Sequence, residues 1–335
     1  MHKPHVALLA AATLSLVFAA GAFANAGARF APHSTAISVM LDWTPNPDHV
    51  GLYTAQSAGL FAKAGLAVEI RSPSDATAPL KLVALGRVDV AISYEQEVFY
   101  AVEKGLPVSA VAAIIPTPLN VFMSVNPAIT KLRDLKAKRI GITGVPSDYA
   151  TLDTALASVG LARSDVKLVS VGYNLLPALL AHRVDAVLGV YRNVEAIQAT
   201  LAGATPHVIP VERAGIPTYD ELVLVANRHR LDTDASYRTH VAALVAGISA
   251  GVTAATNDPA LALQTMQKAT SLGTAFLKQS TSATLPLLSG PRGPVCLSVG
   301  DWHRFGSWMV RQKLLKATVA TGAVVTTSVL PRNCG

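Results

Sequence analysis

Residues 37–40 are apolar and β-branched, the pattern breaks at Pro45 and Pro47, and helical spacing then runs from Asp48 to Gly65. Proline fixes φ and interrupts strand and helix alike. A glycine closing a periodic run is a helix C-terminal signal. The unit therefore reads as strand, rigid loop, helix. Strand-like runs follow at 66–71, 88–92 and 108–115, after a first one at 37–42, and helical runs lie at 48–64, 77–85 and 94–104, closed by Gly65, Gly86 and Gly105. Such alternation predicts an α/β fold with a mainly parallel sheet and helices on both faces. Strands without polar alternation fit a sheet covered on both sides.

The pattern then repeats. A strand-like segment at 117–125 ends at Asn126-Pro127, where we place the first crossing between two lobes. Strands at 139–143, 166–170 and 184–190, with helices ending near Val159 and spanning 173–181, build the second unit, and a strand at 221–226 returns the chain to the first. Beyond Leu231 the character changes to long helices, roughly 236–256 and 258–269. Val241, Leu244, Val245, Ile248 and Val252 form one apolar face, expected to pack on the first lobe. On a helix at 302–315, Trp302, Phe305, Trp308 and Met309 read as core packing, with one aromatic reaching a cleft as the alternative.

Composition narrows the function classes. The 335 residues accommodate two lobes at about 150 residues per domain, and 51% hydrophobic against 15% charged predicts a sizeable core. The net charge of +7 is spread thinly, which argues against nucleic acid as a partner. No zinc spacing, Walker loop or G-x-G-x-x-G occurs, so neither metal nor nucleotide cofactor is expected.

Residues 1–26 read as a cleaved secretory signal. Lys3 with His2 and His5 is followed by an apolar run over 6–20 and by Ala22-Phe23-Ala24 and Ala24-Asn25-Ala26, both small-x-small. The competing reading is a membrane helix, but the run is short and lacks a basic stop-transfer flank. No cysteine lies near the cleavage site for a lipid anchor, so a soluble periplasmic protein is expected. In an oxidising compartment Cys296 and Cys334, 38 residues apart, suggest a disulfide, with two free thiols as the alternative.

The loop after the first strand carries Asp42, Trp43, Asn46, Asp48 and His49. Open α/β sheets bind ligands at the carboxyl ends of strands, and these side chains can stack on and hydrogen-bond to a flat polar molecule. The bland alternative makes Trp43 a core anchor and Asn46 or Asp48 a helix N-cap. After the third strand come Ser93, Tyr94, Glu95, Gln96 and Glu97, either cleft chemistry or helix-start chemistry. Gly144 to Ser147 precedes a helix, and its backbone N–H groups are suited to an anion or an acceptor oxygen. Tyr191 and Glu195, four apart, share a face if helical. Tyr219 and Asp220 stand at the start of the returning strand, placed to close over a ligand.

The stretch LDWTPNPDHVGLYTAQSAGLFAKAGLAVEI resembles the opening of the periplasmic binding proteins that serve ABC importers of thiamine-pyrimidine precursors. The wider group includes sulfonate-, taurine- and nitrate-binding proteins and the fungal pyrimidine synthase of thiamine biosynthesis. The resemblance implies a two-lobed periplasmic-binding-protein fold of type II, with lobe 1 at 36–125 and 226–335 and lobe 2 at 126–225. It implies ligand contacts from Asp42, Trp43, Asn46, His49, Tyr94, Glu95, Gly144, Ser147, Tyr191, Glu195, Tyr219 and Asp220. Trp43 and Tyr191 would cover opposite parts of one ring, and Glu195 would accept from an exocyclic amine. The implied partners are an aminopyrimidine-type small molecule and an inner-membrane ABC permease, with the protein a monomer. A sulfonate, taurine or nitrate ligand is the alternative. The synthase's cofactor-anchoring lysine and its consumed histidine correspond here to Ser93 and Glu97, and its cysteine-rich segment has no counterpart near 216–227. Those departures imply a binding protein without cofactor or metal, not an enzyme.

Overall fold

The computed structural model describes residues 34–334. The signal expected over 1–26 lies outside the described residues. Ten strands build two sheets: β1 (Thr35–Met40), β2 (Leu66–Arg71), β3 (Val90–Ser93), β4 (Val108–Ile115), β5 (Asn120–Ser124), β6 (Arg139–Ile142), β7 (Lys167–Ser170), β8 (Ala186–Tyr191), β9 (His207–Pro210) and β10 (Leu222–Asn227). The first sheet has the order β2-β1-β3-β10-β4 and the second β7-β6-β8-β5-β9. In each, four strands run one way and a single inserted strand, β10 or β5, runs against them. This is the two-sheet α/β architecture that the alternating pattern predicts.

The crossings differ from the sequence reading. Strand β5 pairs with β8 and β9, so the chain has already left the first sheet by Asn120, before the expected point at Asn126. Strand β10 pairs with β3 and β4, which puts the return ahead of Leu222 and not at residue 226. Val121, Phe122 and Met123 are fully buried, and an apolar strand declares that it is covered without declaring by which sheet. The single helix expected over 48–64 is also divided, into a 3-10 turn Pro47–His49 and helices Val50–Ser57 and Leu60–Lys63. Gly59 at φ +66° makes the break, a left-handed conformation that side-chain-bearing residues disfavour.

The helix Ala235–Asn257 is long and apolar enough to cross a membrane by length and composition. Its Val241, Leu244, Val245, Ile248 and Val252 are buried in one core cluster with β1, β10 and the helix Val50–Ser57. Small residues bring these two helices together: a Cβ on Gly251 would fall on the Gly51 carbonyl oxygen and within 2.8 Å of the Ala55 nitrogen. Near the C-terminus, Cys296 and Cys334 are joined by a disulfide across 38 residues, and the adjacent Val295 bridges to Ala113 of β4.

Candidate functional site

Five parallel strands end at one crevice. The segments following β1, β3, β6, β7 and β8 supply Asp42 and Trp43, Tyr94 and Gln96, Thr143, Val145, Ser147 and Asp148, Tyr173, and Glu195. The two antiparallel strands begin there, contributing Asn120 at the start of β5 and Tyr219 and Glu221 just before β10. The result is two adjoining chambers that share Tyr94, Thr143, Gly189 and Tyr191. Gly189 belongs in that wall: its φ is +100°, and a Cβ there would crowd Thr143, Leu175 and Asp148.

The outer chamber is aromatic with two carboxylates: Trp43, Tyr94, Tyr173, Leu175 and Tyr191 surround Asp42 and Glu195. Asp42 is held from several sides. His49 Nε2 lies 2.8 Å from Asp42 Oδ1, and the Asn46 backbone N–H donates to His49 Nδ1 at 3.3 Å. With Nδ1 accepting, Nε2 carries the proton and donates to the carboxylate. Tyr94 donates to Asp42 Oδ2 at 3.2 Å, and Tyr173 donates to the Asp42 backbone oxygen at 2.7 Å. Glu195 Oε2 accepts the Tyr191 N–H at 2.8 Å. Burial pushes the Glu195 carboxyl up to about 8, with Asp48 and Asp42 adding repulsion.

The inner chamber is polar, with Gln96, Asn120, Thr143, Ser147, Asp148, Thr151, Tyr219 and Glu221 around the shared residues. Glu221 Oε2 accepts the N–H groups of Leu119 and Asn120 at 2.7 and 3.0 Å and the Tyr219 hydroxyl at 3.0 Å. Asp148 Oδ2 accepts Thr143 Oγ1 at 2.5 Å and the Gly144 N–H at 2.8 Å. Burial raises both acids, Glu221 to about 7 and Asp148 to about 6.

Among the twelve residues proposed from sequence, Asp42, Trp43, Tyr94, Ser147, Tyr191, Glu195 and Tyr219 line the chambers. Asn46 and His49 stand behind that wall: Asn46 Oδ1 caps the turn through the Asp48 N–H at 2.8 Å, and His49 orients Asp42. Glu95 and Asp220 turn the other way. Glu95 Oε2 accepts the Asp220 N–H at 2.7 Å, and Asp220 Oδ2 accepts the indole N–H of the buried Trp302 at 2.7 Å. The helix that starts at Glu95 carries Gln96 to the cleft and Glu95 away from it, a choice of face that the neighbouring charges do not disclose. Gly144 contributes its N–H to Asp148 instead of to a chamber. Tyr191 and Glu195 do not share a helix face, since Tyr191 ends β8 and Glu195 opens the next helix. Tyr173, Gln96, Asn120, Asp148 and Glu221 were not proposed from sequence. For Glu221 the signal lay beside Tyr219 and Asp220, an acid at the mouth of the returning strand.

Several bonds link elements that follow the strands of the two sheets and the helix Thr274–Thr284. Glu97 Oε1 accepts the Ser147 N–H at 2.8 Å, Asn193 Nδ2 donates to Asp48 Oδ1 at 2.5 Å, and Ser280 donates to the Asn193 carbonyl at 2.6 Å.

A family model described as NMT1/THI5 like matches residues 46–262. A Haemophilus influenzae protein named for thiamine biosynthesis is 43% identical over 194 residues, 58% of this chain and 62% of that protein. A formylaminopyrimidine-binding protein of Halalkalibacterium halodurans is 36% identical over 192 residues, 57% of this chain and 58% of its own length. The matched region thus spans about three fifths of these curated relatives. The structure of the alkanesulfonate-binding protein SsuA from Xanthomonas axonopodis pv. citri superposes with a TM-score of 0.68 at 18% identity, covering 87% of this chain and 98% of that one. That likeness establishes the periplasmic-binding-protein fold. With the family model matching well over half of its residues, the chain belongs to the NMT1/THI5-like family.

Proposed function

We propose that this chain is the solute-binding component of an ABC importer and captures an amino-bearing pyrimidine, a precursor of thiamine, in the crevice between its two lobes. The observation that carries this reading is the charge of the crevice. Asp42, Glu195, Asp148 and Glu221 line it, and among the described residues no lysine, arginine or histidine does. Acceptors in an aromatic frame suit a flat heterocycle bearing N–H donors. The relative that binds formylaminopyrimidine supports the same class.

A sulfonate or nitrate is the second reading, favoured by fold likeness to SsuA. It needs cations or open N–H donors. The turn at 144–147, which the sequence suggests for an anion, already spends its donors on the chain's own groups: Gly144 N–H on Asp148, Val145 N–H on Thr143 and Ser147 N–H on Glu97. That observation favours the pyrimidine. The synthase reading is weakened by Ser93 and Glu97 at the positions of its lysine and histidine. The export signal read at 1–26 goes with a periplasmic site of capture, delivery to a permease and action as a monomer. A thermal-shift screen of the purified protein against aminopyrimidines, alkanesulfonates, taurine and nitrate tests the assignment, because a ligand that binds only the native state raises its melting temperature. Stabilisation by a sulfonate or nitrate, with none by any aminopyrimidine, would overturn it.

A further inference from the structure

Glu221 occupies an unusual place. It sits where the chain returns from the second sheet to the first, and its Oε2 accepts the N–H groups of Leu119 and Asn120, which sit where the chain first leaves it. One oxygen therefore ties the two crossings together. All three of its bonds, including that from Tyr219, fall on Oε2, and the side chain lines the inner chamber. The other oxygen, Oε1, has no protein partner among the described residues and is left to that chamber. The residue is only 3% exposed, so its side chain is held in the wall of the crevice.

Asp148 lines the same chamber and is also anchored through one oxygen. Its Oδ2 is occupied by Thr143 and the Gly144 N–H, and its Oδ1 stands over the Gly189 backbone at the chamber wall. Two carboxylates, Glu221 and Asp148, each anchored through one oxygen, thus line a chamber of amides and hydroxyls with no cation among the described residues. Acceptors placed in this way disfavour an anion and favour a group that brings its own N–H or O–H donors in place of water.

We infer that the inner chamber is a separate subsite for a neutral or cationic hydrogen-bond-donating substituent of the ligand, with Glu221 Oε1 as its acceptor, and that it rejects anionic substituents. The inference rests on the pyrimidine reading of the outer chamber and deepens it. The aromatic chamber takes the ring, and the inner one selects what the ring carries. Because Glu221 also holds both crossings, occupancy of the subsite acts on the segments about which the lobes would move.

Glu221→Gln separates the two roles. Its amide oxygen can still accept from Leu119 and Asn120, while its NH₂ group replaces an acceptor by a donor in the chamber. Calorimetry would compare four probes on the wild-type protein: 4-amino-2,5-dimethylpyrimidine, its 5-hydroxymethyl and 5-aminomethyl analogues, and the 5-hydroxymethyl phosphate ester. We expect the hydroxymethyl and aminomethyl compounds to bind about 10- to 100-fold more tightly than the dimethyl compound, the range of a hydrogen bond to a charged group. The phosphate ester should bind more weakly than the dimethyl compound. In Glu221→Gln that preference for donors should fall to within about threefold, with the melting temperature retained. Equal binding of all substituents, tight binding of the phosphate ester, or a donor preference that survives Glu221→Gln would overturn the subsite while leaving the ring assignment standing. Failure of every pyrimidine, the dimethyl compound included, would overturn the ring assignment and the subsite with it. If Glu221→Gln failed to fold, the four wild-type affinities would decide alone, with equal binding of all substituents or tight binding of the phosphate ester overturning the subsite.

Discussion

The indole of Trp43 lies beside the phenol ring of Tyr173 in the lining of the aromatic chamber, with centroids 6.2 Å apart and planes tilted by 33°. Trp43 follows β1 of the first sheet and Tyr173 follows β7 of the second, so the pair spans the crevice. Tyr191, expected from the sequence to cover a bound ring opposite Trp43, lines the same chamber. Tyr191 forms part of the wall shared by both chambers. Truncating Trp43 to Ala should weaken aminopyrimidine binding by about 2–4 kcal/mol, as for a buried aromatic anchor. Tyr173→Phe keeps the ring and removes only the bond to the Asp42 carbonyl, so a loss of about 0.5–1.5 kcal/mol is expected. Titration calorimetry of both variants checks the order, and a larger loss for Tyr173→Phe would contradict it.

Glu195 should couple binding to proton release. Its carboxyl is pushed up to about 8, so it is largely protonated in the empty protein at neutral pH. A ligand amine donating to it favours the ionised form and lowers that value. Binding heats near pH 7 should therefore depend on the ionisation enthalpy of the buffer, and Glu195→Gln should reduce that dependence. The same substitution should weaken an aminopyrimidine by about 1.5–3 kcal/mol, while an alkanesulfonate should bind unchanged or better. Unchanged aminopyrimidine affinity in Glu195→Gln would count against the ligand assignment.

Stability should fall as pH rises through neutrality. Burial raises Asp48, Asp148 and Asp220 to about 6, Glu97 and Glu221 to about 7 and Glu195 to about 8. Between the unfolded values near 3.8 and 4.5 and these folded ones, the native state holds more protons than the unfolded chain. The slope of stability with pH is then negative. Each group's contribution is complete below its unfolded value and is lost as pH passes its folded one. Thermal melts of the empty protein between about pH 5 and about pH 9 should show a declining midpoint, with the fall near pH 8 reduced in Glu195→Gln. A rising midpoint would refute this.

Gly251→Ala should destabilise the protein by about 1–3 kcal/mol, the usual cost of overpacking. Its Cβ would meet backbone atoms of Gly51 and Ala55, which cannot swing aside as a side chain does. Chemical denaturation of this variant, beside Gly273→Ala, where a Cβ meets nothing within 4 Å, provides the comparison.

The Cys296–Cys334 bridge closes a 38-residue separation. Paired replacement of the two cysteines should cost roughly 3–4 kcal/mol in the chain-entropy description. Thiol titration of the purified protein under denaturing, non-reducing conditions should find no free thiol, and two titrating thiols would rule the bridge out.

Local chemistry was legible along the chain. Periodicity and glycine-closed runs marked most strands and helices, because period and breakers are properties of neighbouring residues. The loop of Asp42 and Trp43 announced itself by its prolines and its polar and aromatic crowding. Other features were decided between residues far apart in the chain. Tyr173 reaches Asp42 across 131 positions, and Glu221 reaches Leu119 across 102. Glu95 and Asp220 have the composition of a binding site, yet they bond to each other and to the buried Trp302, 82 positions beyond Asp220. Strand β5 looks the same whichever sheet receives it, and only pairing with β8 and β9 placed it in the second. A side chain's type limits what it can bind, but which face of an element meets the crevice depends on packing energies summed over the whole fold.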